Sequence, residues 1–286
     1  MAKNLVFKTG TGRKEILNYY DQILNRWPQN CRKQFIKTRY GFTFVIECGV
    51  KSKPALILLH GAGSNSAMWT ADVNEYSKNY RVFTVDIIGE CGKSAENRPD
   101  FKSSHYSNWL IDVFEAFQLE DASLVGCSLG GWIAIKFATQ HPEKVKQLAL
   151  ISTSGITQIK PSLIFWLLVT SVSGKWGFNK MNKIVYNNIQ LDEQTIQFTK
   201  LVKQHFIPRT DALPLFTDAE LQKITTPVFF MGGENDCFFN SEKTANRLKT
   251  NIEQAECKIL ENTGHVITVS ANYILTFLKR CENEKN

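Results

Sequence analysis

The sequence predicts an α/β fold: a mostly parallel sheet flanked by helices, with a helical insertion. Three observations predict it. Short, continuous apolar runs recur from residue 55 onward. Helical patterns lie between most of these runs, and strands that alternate with helices need crossover connections and so pair in parallel. One long stretch, 156–226, breaks the rhythm with helix-like, aromatic-rich sequence.

The elements follow in order. Residues 13–27 place Ile16, Tyr20, Ile23, Leu24 and Trp27 at three- and four-residue steps, which makes one apolar helix face closed by Pro28. "KQFIKTRYGFTFVIECG" then reads as two strands with a turn near Arg39–Gly41. The runs 55–60, 81–86, 123–127, 147–152, 227–233 and 257–261 read as strands covered on both faces. Helices are expected near 104–118, 130–140, 241–249 and 269–281. The insertion carries Phe165, Trp166, Trp176, Phe178, Phe198, Phe206 and Phe216.

The bulk numbers narrow the class. The chain of 286 residues suits one large domain, or one with an insertion. At 43% hydrophobic and 21% charged it has the composition of a soluble globular protein. Its net charge of +7 is spread along the chain without a run of five Lys or Arg, so basicity alone argues only weakly for nucleic acid or anionic membrane. The seven cysteines form no C-x-x-C pair and no zinc-spaced cluster, which fits reduced thiols in a cytosolic protein and no metal. The first residues show no apolar core of signal-peptide length, and "LIFWLLVTSV" at 163–172 is about half a membrane span. It reads as a buried or cap helix, and no membrane span is expected.

"GECGKS" at 89–94 invites a nucleotide reading. A phosphate loop needs its first glycine at position 87, which is Ile, and it should open a long helix, which Pro99 would interrupt. The loop is too short to wrap a phosphate.

Ligands of open parallel sheets bind at the carboxyl ends of strands. At those ends stand His60-Gly61-Ala62-Gly63, Cys127-Ser128-Leu129-Gly130, Glu234-Asn235-Asp236 and Asn262-Thr263-Gly264-His265. "GCSLG" matches G-x-S-x-G between a strand and a helix, a turn that strains its central serine and needs small neighbours, here Gly126 and Gly130. A serine hydroxyl needs a base within reach. His265, after the last strand, is the candidate; His105, His141 and His205 suit surface or capping roles, and His60 a packing role in its glycine turn. The acid that orients His265 is Asp236 in preference to Glu234, because it lies further into the loop. Asp86 precedes the serine and reads as a structural turn residue. Backbone N–H groups of Leu129 and Ala62 are the candidate oxyanion donors, with Gly61 and Gly63 allowing close approach.

Taken together, "LLHGAGSNSAMW", "VDIIGECGKS", "VGCSLGGWIA", "HPEKVKQLALIS", "GGENDCF" and "NTGHV" resemble, in order and spacing, the α/β-hydrolase superfamily, and most of all its small bacterial carboxylesterase-type members. The resemblance covers about residues 38–280 and is weakest through the insertion. It implies an eight-stranded sheet with a helical cap after the sixth strand: 1–37 an N-terminal helical extension and first strand, 38–155 and 217–286 the core, 156–216 the cap. By the same resemblance 89–94 is a wall of the active-site mouth, although Cys91-Gly92-Lys93 shifts the family's second glycine by one. The triad it implies is Ser128, Asp236 and His265, with no cofactor. A serine at the elbow argues against the epoxide hydrolase and haloalkane dehalogenase branches, which use Asp there.

The expected activity is hydrolysis of a small-molecule carboxylic ester through an acyl-enzyme, with no nucleic-acid partner. Gly61, Gly63, Phe165 and Trp166 are substrate-binding candidates; for the aromatics, packing within the cap is the plainer alternative. Rival readings on the same residues are cleavage of an amide, lactone or carbon–carbon bond, acyl transfer, or a non-catalytic binding protein.

Overall fold

The computed structural model describes residues 5–171, 173–187, 189, 191–268 and 270–283. Eight strands form one sheet: β1 (Arg32–Thr38), β2 (Gly41–Cys48), β3 (Ala55–Leu59), β4 (Arg81–Val85), β5 (Ala122–Cys127), β6 (Val145–Ile151), β7 (Val228–Gly233) and β8 (Ala255–Leu260). Their spatial order is β1-β2-β4-β3-β5-β6-β7-β8. β1 and β2 pair antiparallel, as do β2 and β4; every later pair is parallel. All eight expected strands are present, with ends that differ by a residue or two.

The helices are α1 (Gly10–Leu24), α2 (Val73–Ser77), α3 (His105–Ala116), α4 (Leu129–Gln140), α5 (Pro161–Ser171), α6 (Gly174–Tyr186), α7 (Glu193–His205), α8 (Asp218–Leu221), α9 (Ser241–Asn251) and α10 (Ala271–Asn283). α1 starts at Gly10 rather than 13, because the Thr9 side chain accepts the Gly12 N–H and caps the first turn. It stops at Leu24, before the expected end at Trp27. The last helix starts at Ala271; the expected start at 269 lies outside the described residues.

The period-two alternation of the strands divides the core. In β3, Ile57 and Leu59 face one side with Trp109, Leu110, Trp132 and Ile133 from α3 and α4. Leu56 and Leu58 face the other with Tyr20, Trp69, Tyr76, Ile274 and Phe277, from α1, α2, α10 and the turn before α2. β5 and β7 are buried along their whole length, as central parallel strands must be. A third, smaller cluster joins Val6, Phe7 and Ile16 to Cys91, Leu201 and Phe206. There the chain's beginning clasps α7: Phe7 bridges Phe206, and Ile207 N–H donates to Val6 O.

The expectation of seven reduced thiols is corrected. Cys31 and Cys48 form a disulfide, while Cys91, Cys127, Cys237, Cys257 and Cys281 are not disulfide-bonded. The cause is register. Arg32 faces Glu47 across the β1–β2 hairpin, so the residues just outside that pair face each other, with Cα atoms 4.3 Å apart. Sequence separation alone does not reveal a pairing set by strand register.

Candidate active site

Ser128 stands between β5 and α4 with φ 49° and ψ −107°, in the left-handed half of backbone space that a serine rarely occupies. The close quarters explain the flanking glycines. A Cβ on Gly126 would lie 2.5 Å from Gly130 O, and one on Gly130 would lie 2.2 Å from Leu59 O. The strand before and the helix after thus pack too tightly for any side chain at either position. Leu129 opens α4, so its N–H has no helical carbonyl to meet.

The loops at the other strand ends converge on this serine. His265 Nε2 lies 3.3 Å from Ser128 Oγ, and His265 Nδ1 lies 2.9 Å from Asp236 Oδ2. Asp236 and His265 are both buried. Nδ1–H donation to the carboxylate leaves the Nε2 lone pair facing the hydroxyl. Ser154 Oγ is 3.4 Å from Ser128 Oγ on another side. The structure therefore brings Ser128, His265 and Asp236 into one hydrogen-bonded chain.

Each partner is itself held. Asp236 Oδ1 accepts the N–H groups of Phe238 at 2.7 Å and Phe239 at 3.1 Å, which leaves Oδ2 for the imidazole. The Phe238 ring lies over His265 with centroids 4.2 Å apart. Glu234, the rejected acid, is exposed and instead accepts the Asn262 N–H at 3.0 Å, tying the two loops together. Sequence reading missed Phe238, Phe239 and Ser154; the "DCFF" run after a strand was the available signal for the first two.

The His60–Gly63 turn lies against the elbow: a Cβ at Gly61 would sit 3.7 Å from Ser128 Cβ. Ala62 is exposed beside it. Gly63 has φ +63°, and its N–H donates to Glu90 Oε2 at 2.6 Å, so this amide is already engaged. His60 is fully buried; its Nε2 accepts the Ile87 N–H, and burial lowers its pKa, so it packs as a neutral ring. Burial also pushes the Cys127 thiol, next to the serine, up to about 12, which keeps it protonated.

The 89–94 loop wraps a carboxylate, not a phosphate. Asp86 is buried and accepts from Tyr20 Oη, Ser66 N–H, Ser66 Oγ–H and Lys93 N–H. Ser94 Oγ–H donates to Asp86 O, and Asn65 Nδ2 donates to Cys91 O. Glu90 projects from this loop into the protein and is 4% exposed. Burial raises its carboxyl pKa to about 7, against the opposing pull of the Gly63 N–H, Arg98 and Arg209. Phe165 and Trp166 lie further out on α5, edge-on to each other, with Lys180 Nζ 4.9 Å from the Trp166 ring centre. Among the described residues no cluster of three or more His, Cys, Asp or Glu could hold a metal ion.

A sheet of this order, with a strained serine at its carboxyl edge, defines a class of protein. The model of the alpha/beta hydrolase fold matches residues 54–190. A Bacillus subtilis protein named uncharacterized carboxylesterase nap is 30% identical over 87% of this chain and 86% of its own. The chain belongs to the α/β-hydrolase family. Among solved structures, carboxylesterase CesB (YbfK) from Bacillus subtilis superposes with a TM-score of 0.83 at 28% identity, covering 94% of this chain and 98% of that one. Naproxen esterase (carboxylesterase NP) from the same organism gives 0.80 at 28%, over 100% and 99%. This chain is similar to carboxylesterases over nearly its full length.

Proposed function

We propose that this protein is a serine hydrolase that cleaves small-molecule carboxylic esters. The observation that carries the reading is the hydrogen-bonded chain from Ser128 Oγ through His265 to Asp236. Ser128 Oγ attacks the ester carbonyl carbon as its proton passes to His265 Nε2. The N–H groups of Ala62 and Leu129 receive the developing oxyanion, a contribution of about 3 kcal/mol per donor in comparable sites. The carbonyl re-forms, the C–O bond to the alcohol breaks, and the imidazolium returns its proton to the leaving alcohol. Water then attacks the acyl-enzyme by the same path, giving the acid and free serine. Asp236 stabilises the charged imidazole throughout. The likeness to carboxylesterases supports ester as the substrate class.

Residues 156–216 act in this reading as a cap over the core of 38–155 and 217–286, with 1–37 as an extension. Gly61 and Gly63 shape the acyl side, while Phe165 and Trp166 belong to the cap. The five cysteines outside the disulfide support a cytoplasmic location, and the Cys31–Cys48 bond is the observation against it. No helix among the described residues is long and apolar enough to cross a membrane.

A fluorophosphonate probe tests the chemistry. Wild-type protein is expected to label and Ser128→Ala is not; equal labelling of the two defeats the reading. A panel of esters, amides and lactones with identified products tests the substrate class. Turnover of esters is expected to exceed that of the others, and a preference for any other bond sinks the ester assignment.

A further inference from the structure

Half of the exposed large hydrophobics among the described residues fall within 159–189. α5 contains no charged residue, and it leaves Ile164, Phe165 and Leu168 between 54% and 67% exposed on one face. α6 adds Trp176, 57% exposed. On α6 Trp176 shares its face with Lys180 and Lys183, at four- and seven-residue steps. Lys180 Nζ sits over Trp166, whose ring meets Phe165, so the basic and apolar parts are continuous. The stretch 156–191 has four lysines, 160, 175, 180 and 183, and no Asp or Glu, in a chain whose net charge is +7. Lys160 Nζ donates to Asp236 O, Lys180 is half-buried over Trp166, and Lys175 and Lys183 are exposed.

An exposed aromatic and aliphatic face framed by lysines, with no acid among them, matches a surface that is apolar inside and negative outside. A second copy matches poorly: a two-fold contact through this face would set lysines against lysines. We propose that the α5–α6 hairpin is the face by which this protein docks on an anionic lipid surface. The hairpin starts where Lys160 N–H meets Phe238 O and ends where Val185 O accepts the His265 N–H. Docking there brings the loops of Phe238 and His265, which the hairpin's two ends touch, close to the lipid.

The test needs no turnover, so it stands apart from the hydrolase reading. Full-length Ser128→Ala protein is floated with vesicles of phosphatidylcholine alone or mixed with phosphatidylglycerol. Binding is expected only to the mixed vesicles, and is expected to weaken as salt rises. Lys175→Glu/Lys183→Glu should weaken it by at least about 30-fold, given the usual contribution of each lysine near such a surface. Leu168→Ser/Trp176→Ser should abolish it, while Lys51→Glu/Lys223→Glu, away from the hairpin, should leave it unchanged. Thermal midpoints confirm that each variant is folded. Equal binding to both vesicle types, no binding to either, or retained binding by both hairpin variants overturns the proposal. So does a concentration-dependent dimer that Leu168→Ser/Trp176→Ser dissociates, since the face then belongs to a second copy.

Discussion

Asp236 spends one carboxylate oxygen on its own loop and the other on the imidazole. An amide in its place can keep the loop but no longer holds the charged ring, so Asp236→Asn should lower kcat by about 10⁴-fold with KM little changed, measured on the best ester of the panel. Glu90 permits a test of burial. Its carboxyl titrates near 4.5 when exposed and near 7 in the fold. The folded state therefore holds a proton that the unfolded state has lost. That stability is present below pH 4.5 and disappears as pH rises through 7. Relative to Glu90→Gln, wild type should lose about 2 to 3 kcal/mol of unfolding free energy between pH 5 and 8, by urea titration. A constant difference across that range would show that Glu90 does not titrate there. Ser128 and His265 were legible in the sequence because glycine spacing and strand ends mark them. Glu90 was not, because an acid inside a glycine-rich loop reads as solvated until the sheet shows what covers it.

At the level of elements, the β5–Ser128–α4 elbow is the most tightly specified piece of chain. A methyl at position 130 would collide with the backbone of β3, which cannot yield as a side chain can. Gly130→Ala should destabilise by more than about 3 kcal/mol, visible as a fall in thermal midpoint, whereas Gly10→Ala, with open space around it, should not. The β1–β2 hairpin carries the corrected feature. Its disulfide closes a short loop, so reduction should cost about 3 kcal/mol in denaturant unfolding without loss of the central sheet. Strand and helix identities were readable from periodicity. Their ends were less so, because caps such as Thr9 on Gly12 extend a helix beyond its apolar face.

Across the whole molecule, Arg98 binds the pieces together. It donates to Gly89 O in the loop beside the site, to Leu5 O at the chain's beginning and to Ile207 O after α7. Arg98→Ala should raise amide hydrogen exchange at 5–8 and along α7 while β5 and β7 remain protected. Uniform protection would mean that the apolar cluster of Val6, Phe7 and Phe206 suffices alone. The layered architecture was legible from alternation of strands and helices, but this clasp was not, since neither side carries a motif. The clasp also bears on synthesis. The segment around Phe7 is synthesised long before its pairing partner at Phe206, so it stays uncovered until α7 has been translated. Nascent chains stalled short of α7 should expose that segment to protease, and those stalled well beyond it should shield it.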